Sequence, residues 1–215
     1  MKKTILFAAL LAGIVFFTFA QAQETWMSLG FEFGNYFENV TDSRNTYVGS
    51  PGINLNFYFF GQQKKLGVFN RNSFLFPVVK SGESNEFTYG MQMAFVIGPA
   101  FRYAFNDYLT LQSGFGVNVA GIYVDCPEGS YTYPVSSMVL GVGGDLGLKF
   151  DLTDVVFINI GGAFAFNFFN TFSVKSMPPA VEKWLDGYMA AEFKPYICVG
   201  INSYTENTHY GKPKR

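Results

Sequence analysis

The stretch Tyr89-Gly-Met-Gln-Met-Ala-Phe-Val-Ile-Gly-Pro-Ala-Phe-Arg-Tyr-Ala-Phe105 decides the fold. Its odd positions are Tyr89, Met91, Met93, Phe95, Ile97, Pro99, Phe101, Tyr103 and Phe105. Its even positions are Gly, Gln, Ala, Val, Gly, Ala, Arg and Ala. Large apolar groups and small or polar groups thus fall on opposite faces of an extended chain, the period of a β-strand.

The same alternation runs outward in both directions. Met27, Leu29, Phe31 and Phe33 oppose Ser28, Gly30, Glu32 and Gly34, and Ile53, Leu55, Phe57 and Phe59 oppose Asn54, Asn56 and Tyr58. Downstream it recurs over residues 109–119, 138–149, 158–168 and 192–202. Residues 66–76 fit least well, because Asn70 and Asn72 fall on the apolar face. Counting that segment, eight strands are expected. Residues 155–174 hold twenty positions without a charge, but Asn159, Gly161, Gly162 and Asn167 at strict period two mark a strand and not a membrane helix.

The smaller face decides which side is the inside. A water-exposed strand surface carries Lys, Glu and Thr, whereas this one carries Gly, Ala, Asn and Gln. Connection lengths point the same way. They run long at 37–51, short at 61–65, long at 77–87, short at Asn106-Asp107, long at 124–134, short at 151–154 and long at 170–187. Such alternation, with aromatic residues at the strand ends (Phe101, Tyr103, Phe105 and Tyr108; Phe57, Phe59 and Phe60), is the pattern of a barrel whose apolar face meets lipid. The expected fold is all-β, an eight-stranded antiparallel up-and-down transmembrane β-barrel over residues 23–204. A soluble lipid-binding barrel is the rival at the level of the fold.

Composition agrees. Of 215 residues, 49% are hydrophobic, 19% aromatic and 14% charged, which excludes a disordered chain. A mean hydropathy of +0.14 is too low for a bundle of membrane helices. A net charge of -1 without a basic stripe speaks against nucleic acid as a partner. Lys2, Lys3, the apolar run Ile5–Phe19 and Ala20-Gln-Ala22 read as a signal peptide over residues 1–22. Residues 205–215 are expected to form a short tail on the periplasmic side.

The chain resembles the small eight-stranded outer-membrane barrels of the OmpA, OmpX and OmpW kind. Pattern over Thr25–Tyr204 carries the resemblance, and the most similar piece is the last strand, Lys194-Pro-Tyr-Ile-Cys-Val-Gly-Ile-Asn-Ser-Tyr204. It implies the outer membrane of a Gram-negative-type (diderm) bacterium and contact with outer-membrane lipid. The chain departs from such barrels in continuing past Tyr204, from Thr205 to Arg215, and it shows no OmpW-type signature near Trp26.

Chemistry is sparse. The single His209 lies in the tail, Cys126 and Cys198 are far apart, and no spacing fits a zinc site or another cofactor. Gly141-Val-Gly-Gly-Asp-Leu-Gly147 lies inside a strand and reads as lumen glycines, not as a dinucleotide loop. The residues singled out are the inward-facing charges Glu32, Arg71, Arg102, Asp145, Lys149, Glu192 and Lys194, expected to pair in two ionic clusters. Glu32 is expected near Lys194 or Glu192, and Arg102 and Asp145 at the short-turn end. Pro178-Pro179 through Gly187 reads as a short capped helix carrying Trp184. No enzyme activity and no cofactor are expected. The expected role is structural or surface interaction with an extracellular ligand or host surface through the long loops. A narrow pore or small-solute channel is the alternative.

Overall fold

In a computed structural model of the chain, residues 24–38, 46–61, 64–76, 79–81, 89–128, 131–173 and 191–204 are described. The expected signal peptide, the expected tail with His209, and the segment expected as a helix around Trp184 lie outside them. The strands are β1 (Glu24–Glu38), β2 (Thr46–Phe60), β3 (Leu66–Leu75), β4 (Val79–Ser81), β5 (Tyr89–Ala104), β6 (Leu109–Glu128), β7 (Tyr131–Asp151), β8 (Val156–Ser173) and β9 (Ala191–Tyr204). β4 continues β3 along the same partner, since Leu75 pairs with Gly52 and Val79 with Gly49 of β2. The two make one stave, so the barrel has eight.

Every pairing is antiparallel, and β9 closes on β1. The register sets the shape. From Met27 the paired positions run Phe57, Asn70, Ile97, Val117, Val142, Phe166, Ala191 and back to Phe37 of β1. The circuit returns ten residues farther along its first strand, a stagger that tilts the strands by about 40°. Closure leaves no sheet edge within the membrane band, which hydrocarbon demands because it offers no hydrogen bonds.

Alternation is fixed by that closure. On β1, Leu29 is 58% and Phe31 73% exposed, while Ser28 and Glu32, on either side of this pair, are buried. Short turns are locked locally. Asn106 Oδ1 accepts from the amides of Tyr108 (2.9 Å) and Leu109 (2.8 Å), and Thr153 Oγ1 from that of Val156 (2.9 Å).

The structure departs from the sequence reading at the other end of the barrel. The connection expected at 124–134 is largely strand, because β6 runs to Glu128 and β7 starts at Tyr131, so Cys126 lies in β6. Likewise β1 reaches Glu38 and β2 begins at Thr46, inside the connection expected at 37–51. Apolar patterning stops where the bilayer stops, but backbone pairing does not, so hydropathy underestimates these strands.

Candidate functional site

The lumen is filled in three tiers. At the short-turn end, Trp26, Tyr58, Phe60, Phe69, Val96, Ala100 and Phe157 form a buried aromatic cluster. Trp26 and Phe60 are 4.8 Å apart between ring centres, and Tyr58 stacks on Phe69 at 5.9 Å. Cations cap the rings. The Arg102 guanidinium lies 4.4 Å from the Phe60 ring centre, and Lys149 Nζ lies 4.5 Å from Trp26 and 4.7 Å from Phe157. Arg102 also pairs with Glu24 at 2.5 Å, and Lys149 with Asp151 at 2.5 Å.

Arg71 holds the middle tier and is 1% exposed. Its Nη2 pairs with Glu32 of β1, and its Nη1 reaches Asp145 of β7 at 3.2 Å and Asn56 Oδ1 at 3.0 Å. Because β3 and β7 are separated by two staves, the Arg71–Asp145 contact crosses the lumen. The Tyr58 hydroxyl donates to the other Asp145 oxygen, and the Tyr196 ring lies under the guanidinium at 4.4 Å. One cation between two carboxylates, with the Tyr58 hydroxyl donating to Asp145, offsets the cost of burying these charges; among the described residues Glu32 Oε1 and Arg71 Nε have no hydrogen-bond partner.

The outer tier centres on Glu192. Lys194 Nζ pairs with it at 2.6 Å, and Asn167 and Gln92 donate to its other oxygen at 3.1 and 3.4 Å. Gln92 stands on β5, across the lumen from β9. Asn118 donates to Asn167 at 2.7 Å.

Six of the seven charges singled out from the sequence are therefore buried inside the barrel, and Arg102 lies half-buried at its mouth. Their partners differ from the expected ones. Glu32 meets Arg71 and not Lys194 or Glu192; Asp145 also meets Arg71 and not Arg102, whose partner is Glu24. The reason is the stagger: it sets paired positions at climbing heights around the wall, so the end of a strand misjudges a residue's level. Phe60, read as a girdle residue, turns inward and belongs to the aromatic cluster.

Sequence reasoning missed the aromatic tier. Its signal was parity: Trp26 shares a face with Ser28 and Glu32, and Tyr58 and Phe60 share one with Asn54 and Asn56. Glycines on this face seat rings as well as saving width. A Cβ on Gly147 or Gly161 would stand 2.5 or 2.6 Å from the Tyr196 hydroxyl, which lies over both. Cys198, also inward, is a free buried thiol. Among the described residues, no group of three or more His, Cys, Asp or Glu side chains is placed to hold a metal ion.

Solved structures share this architecture. Ail, the attachment invasion locus protein of Yersinia pestis, matches with a TM-score of 0.51 at 16% identity, over 85% of this chain and 99% of Ail. Neisserial surface protein A matches at 0.54 and 7% identity, over 84% and 97% of the two chains. A major outer membrane protein from Thermus thermophilus matches at 0.53 and 12%, over 83% and 99%. The chain has the fold of the small outer-membrane barrels. At these identities the likeness is one of fold. No protein-family model and no curated protein matches this chain. Its filled lumen and its outward-projecting strands are accordingly read from its own residues.

Proposed function

We propose that this protein is an outer-membrane barrel with a sealed lumen, working at its outward-facing end as a structural or surface-interaction protein and not as a pore or an enzyme. The observation that carries this reading is the middle tier. Arg71, bonded across the lumen to Asp145 and sideways to Glu32, closes the cross-section at a level where no side chain of the tier is exposed. Opening a path there means parting buried opposite charges, which costs several kcal/mol. The aromatic tier below and the Glu192 tier above add two further closures.

If the lumen carries nothing, lipid and the two ends are what remain for contact. The short turns at 105–108 and 152–155 offer little surface on the periplasmic side. On the outward side, β6 and β7 stay paired from Asp125–Pro134 through Glu128–Tyr131, beyond the last pairings of β5 and β8 among the described residues, at Tyr89 and Ser173. Connections carried at the ends of paired strands are where binding residues concentrate. The same fold serves in Ail, which has been crystallised with the heparin analogue sucrose octasulfate. That likeness carries the fold to this chain and no ligand with it.

Planar-bilayer recording of the folded full chain tests the proposal. The expected result is a folded, heat-modifiable protein that inserts and stays electrically silent. Stable discrete current steps would overturn it in favour of a narrow pore.

A further inference from the structure

One irregularity of the lipid-facing surface is independent of the lumen. β3 presents Asn70 and Asn72 outward, between Leu55 and Phe57 of β2 and Phe95 and Ile97 of β5. Asn72 Nδ2 donates to Asn70 Oδ1 at 2.7 Å and to the Leu55 carbonyl at 3.4 Å, and Asn70 Nδ2 reaches the Val96 carbonyl at 3.4 Å. The carbonyl oxygen of the Asn72 side chain accepts no hydrogen bond from the described residues, and the side chain is only half-buried.

Depth makes this pair unusual. Leu66 is paired with Phe101 at the aromatic end of the barrel. Asn70 and Asn72 lie four and six residues farther along β3. At about 3.3 Å per residue on a strand tilted by about 40°, they stand about 10 and 15 Å deeper into an apolar band about 25 Å tall. Headgroups of either leaflet are out of reach. Elsewhere in the band the outward positions are residues such as Leu29, Phe115, Leu146 and Ile197. Amides facing hydrocarbon are costly unless bonded, and polar groups placed there mark contacts within the membrane.

We propose that β3 and its flanks form the face through which two copies of this chain associate side by side in the membrane, with Asn70 and Asn72 of one copy bonded to those of the other. A two-fold axis along the membrane normal brings each residue opposite its own copy at equal depth. A carboxamide is both donor and acceptor, so such a meeting is self-complementary. No other partner is bound to offer polar groups at this level. Val68, Asn70 and Asn72 are also shorter than the neighbouring Phe57 and Phe95, which leaves a trough along β3 where two barrel walls can approach closely.

The test is site-directed photocrosslinking of the full chain folded in phosphatidylcholine vesicles, with a benzophenone amino acid replacing either Phe95, beside the pair, or Phe164 on β8, on the opposite wall. Crosslinked dimer is expected from position 95 and not from 164, and Asn70→Leu/Asn72→Leu should cut the yield from 95 at least about tenfold. Absence of dimer from 95 at every protein-to-lipid ratio would overturn the proposal. Equal yield from 164, or a yield indifferent to the leucine substitutions in a folded variant, would do the same. Should the leucine variant not fold, the contrast between positions 95 and 164 decides alone, since both asparagines are then intact.

Discussion

Two tiers of the lumen are filled by opposite means, and the contrast between the aromatic tier and the ionic tier of Arg71 separates what packing does from what charge does. Around Trp26, closure comes from rings that bury area and from cations lying on their faces. Around Arg71, it comes from one cation held by two carboxylates. An aromatic tier loses stability in proportion to the atoms removed, because truncation leaves a cavity. An ionic tier fails asymmetrically: removing one partner strands the other charge, whereas removing all of them together is far milder.

That difference orders the expected effects. Arg71→Ala leaves Glu32 and Asp145 buried without their cation and should destabilise the folded barrel by about 4 kcal/mol, measured by reversible unfolding in urea with vesicles present. Replacing Arg71, Glu32 and Asp145 together by apolar residues of similar volume should cost less than Arg71→Ala alone. A triple variant as unstable as the single one would break the contrast. Trp26→Ala should cost about 3 kcal/mol. Tyr58→Phe sits where the tiers meet; it removes one donor to the Asp145 carboxylate while leaving the ring stacked on Phe69, and should cost about 2 kcal/mol. The smallest effect belongs to the mouth. Glu24→Gln removes a partly exposed ion pair with Arg102 and should change stability by less than about 1 kcal/mol. If it matched Arg71→Ala, the gradient of burial along the barrel would not be what sets these costs.

The barrel was legible in the sequence because it rests on two local signals, the period-two alternation of Tyr89–Phe105 and its repeats, and the spacing of Asn106-Asp107 and the other short turns. Lumen occupancy was legible in part. Parity alone puts Glu32, Arg71, Asp145, Lys149, Glu192 and Lys194 on the inward face. Which of them meet depends on the stagger between staves, a quantity that no single strand encodes, so Arg71 was not seen as the shared partner of Glu32 and Asp145. The aromatic tier escaped because Trp26, Tyr58 and Phe60 have the hydropathy of the lipid face and the parity of the lumen, and near a strand end the first suggests a girdle. Asn70 and Asn72 stood out in the alternation as misfits on the apolar face, and the structure keeps them there.

Cys198 provides the most direct probe of closure. It faces the lumen beside Asn54 and Asn56, next to the Arg71 tier, and is 1% exposed. In a Cys126→Ser background, the folded barrel is exposed to a charged, membrane-impermeant thiol reagent and the modification of Cys198 is followed by mass. The account predicts no modification of the folded protein over a period in which the urea-unfolded chain reacts to completion. Modification of the folded barrel at a rate near that of the unfolded chain would contradict a sealed lumen.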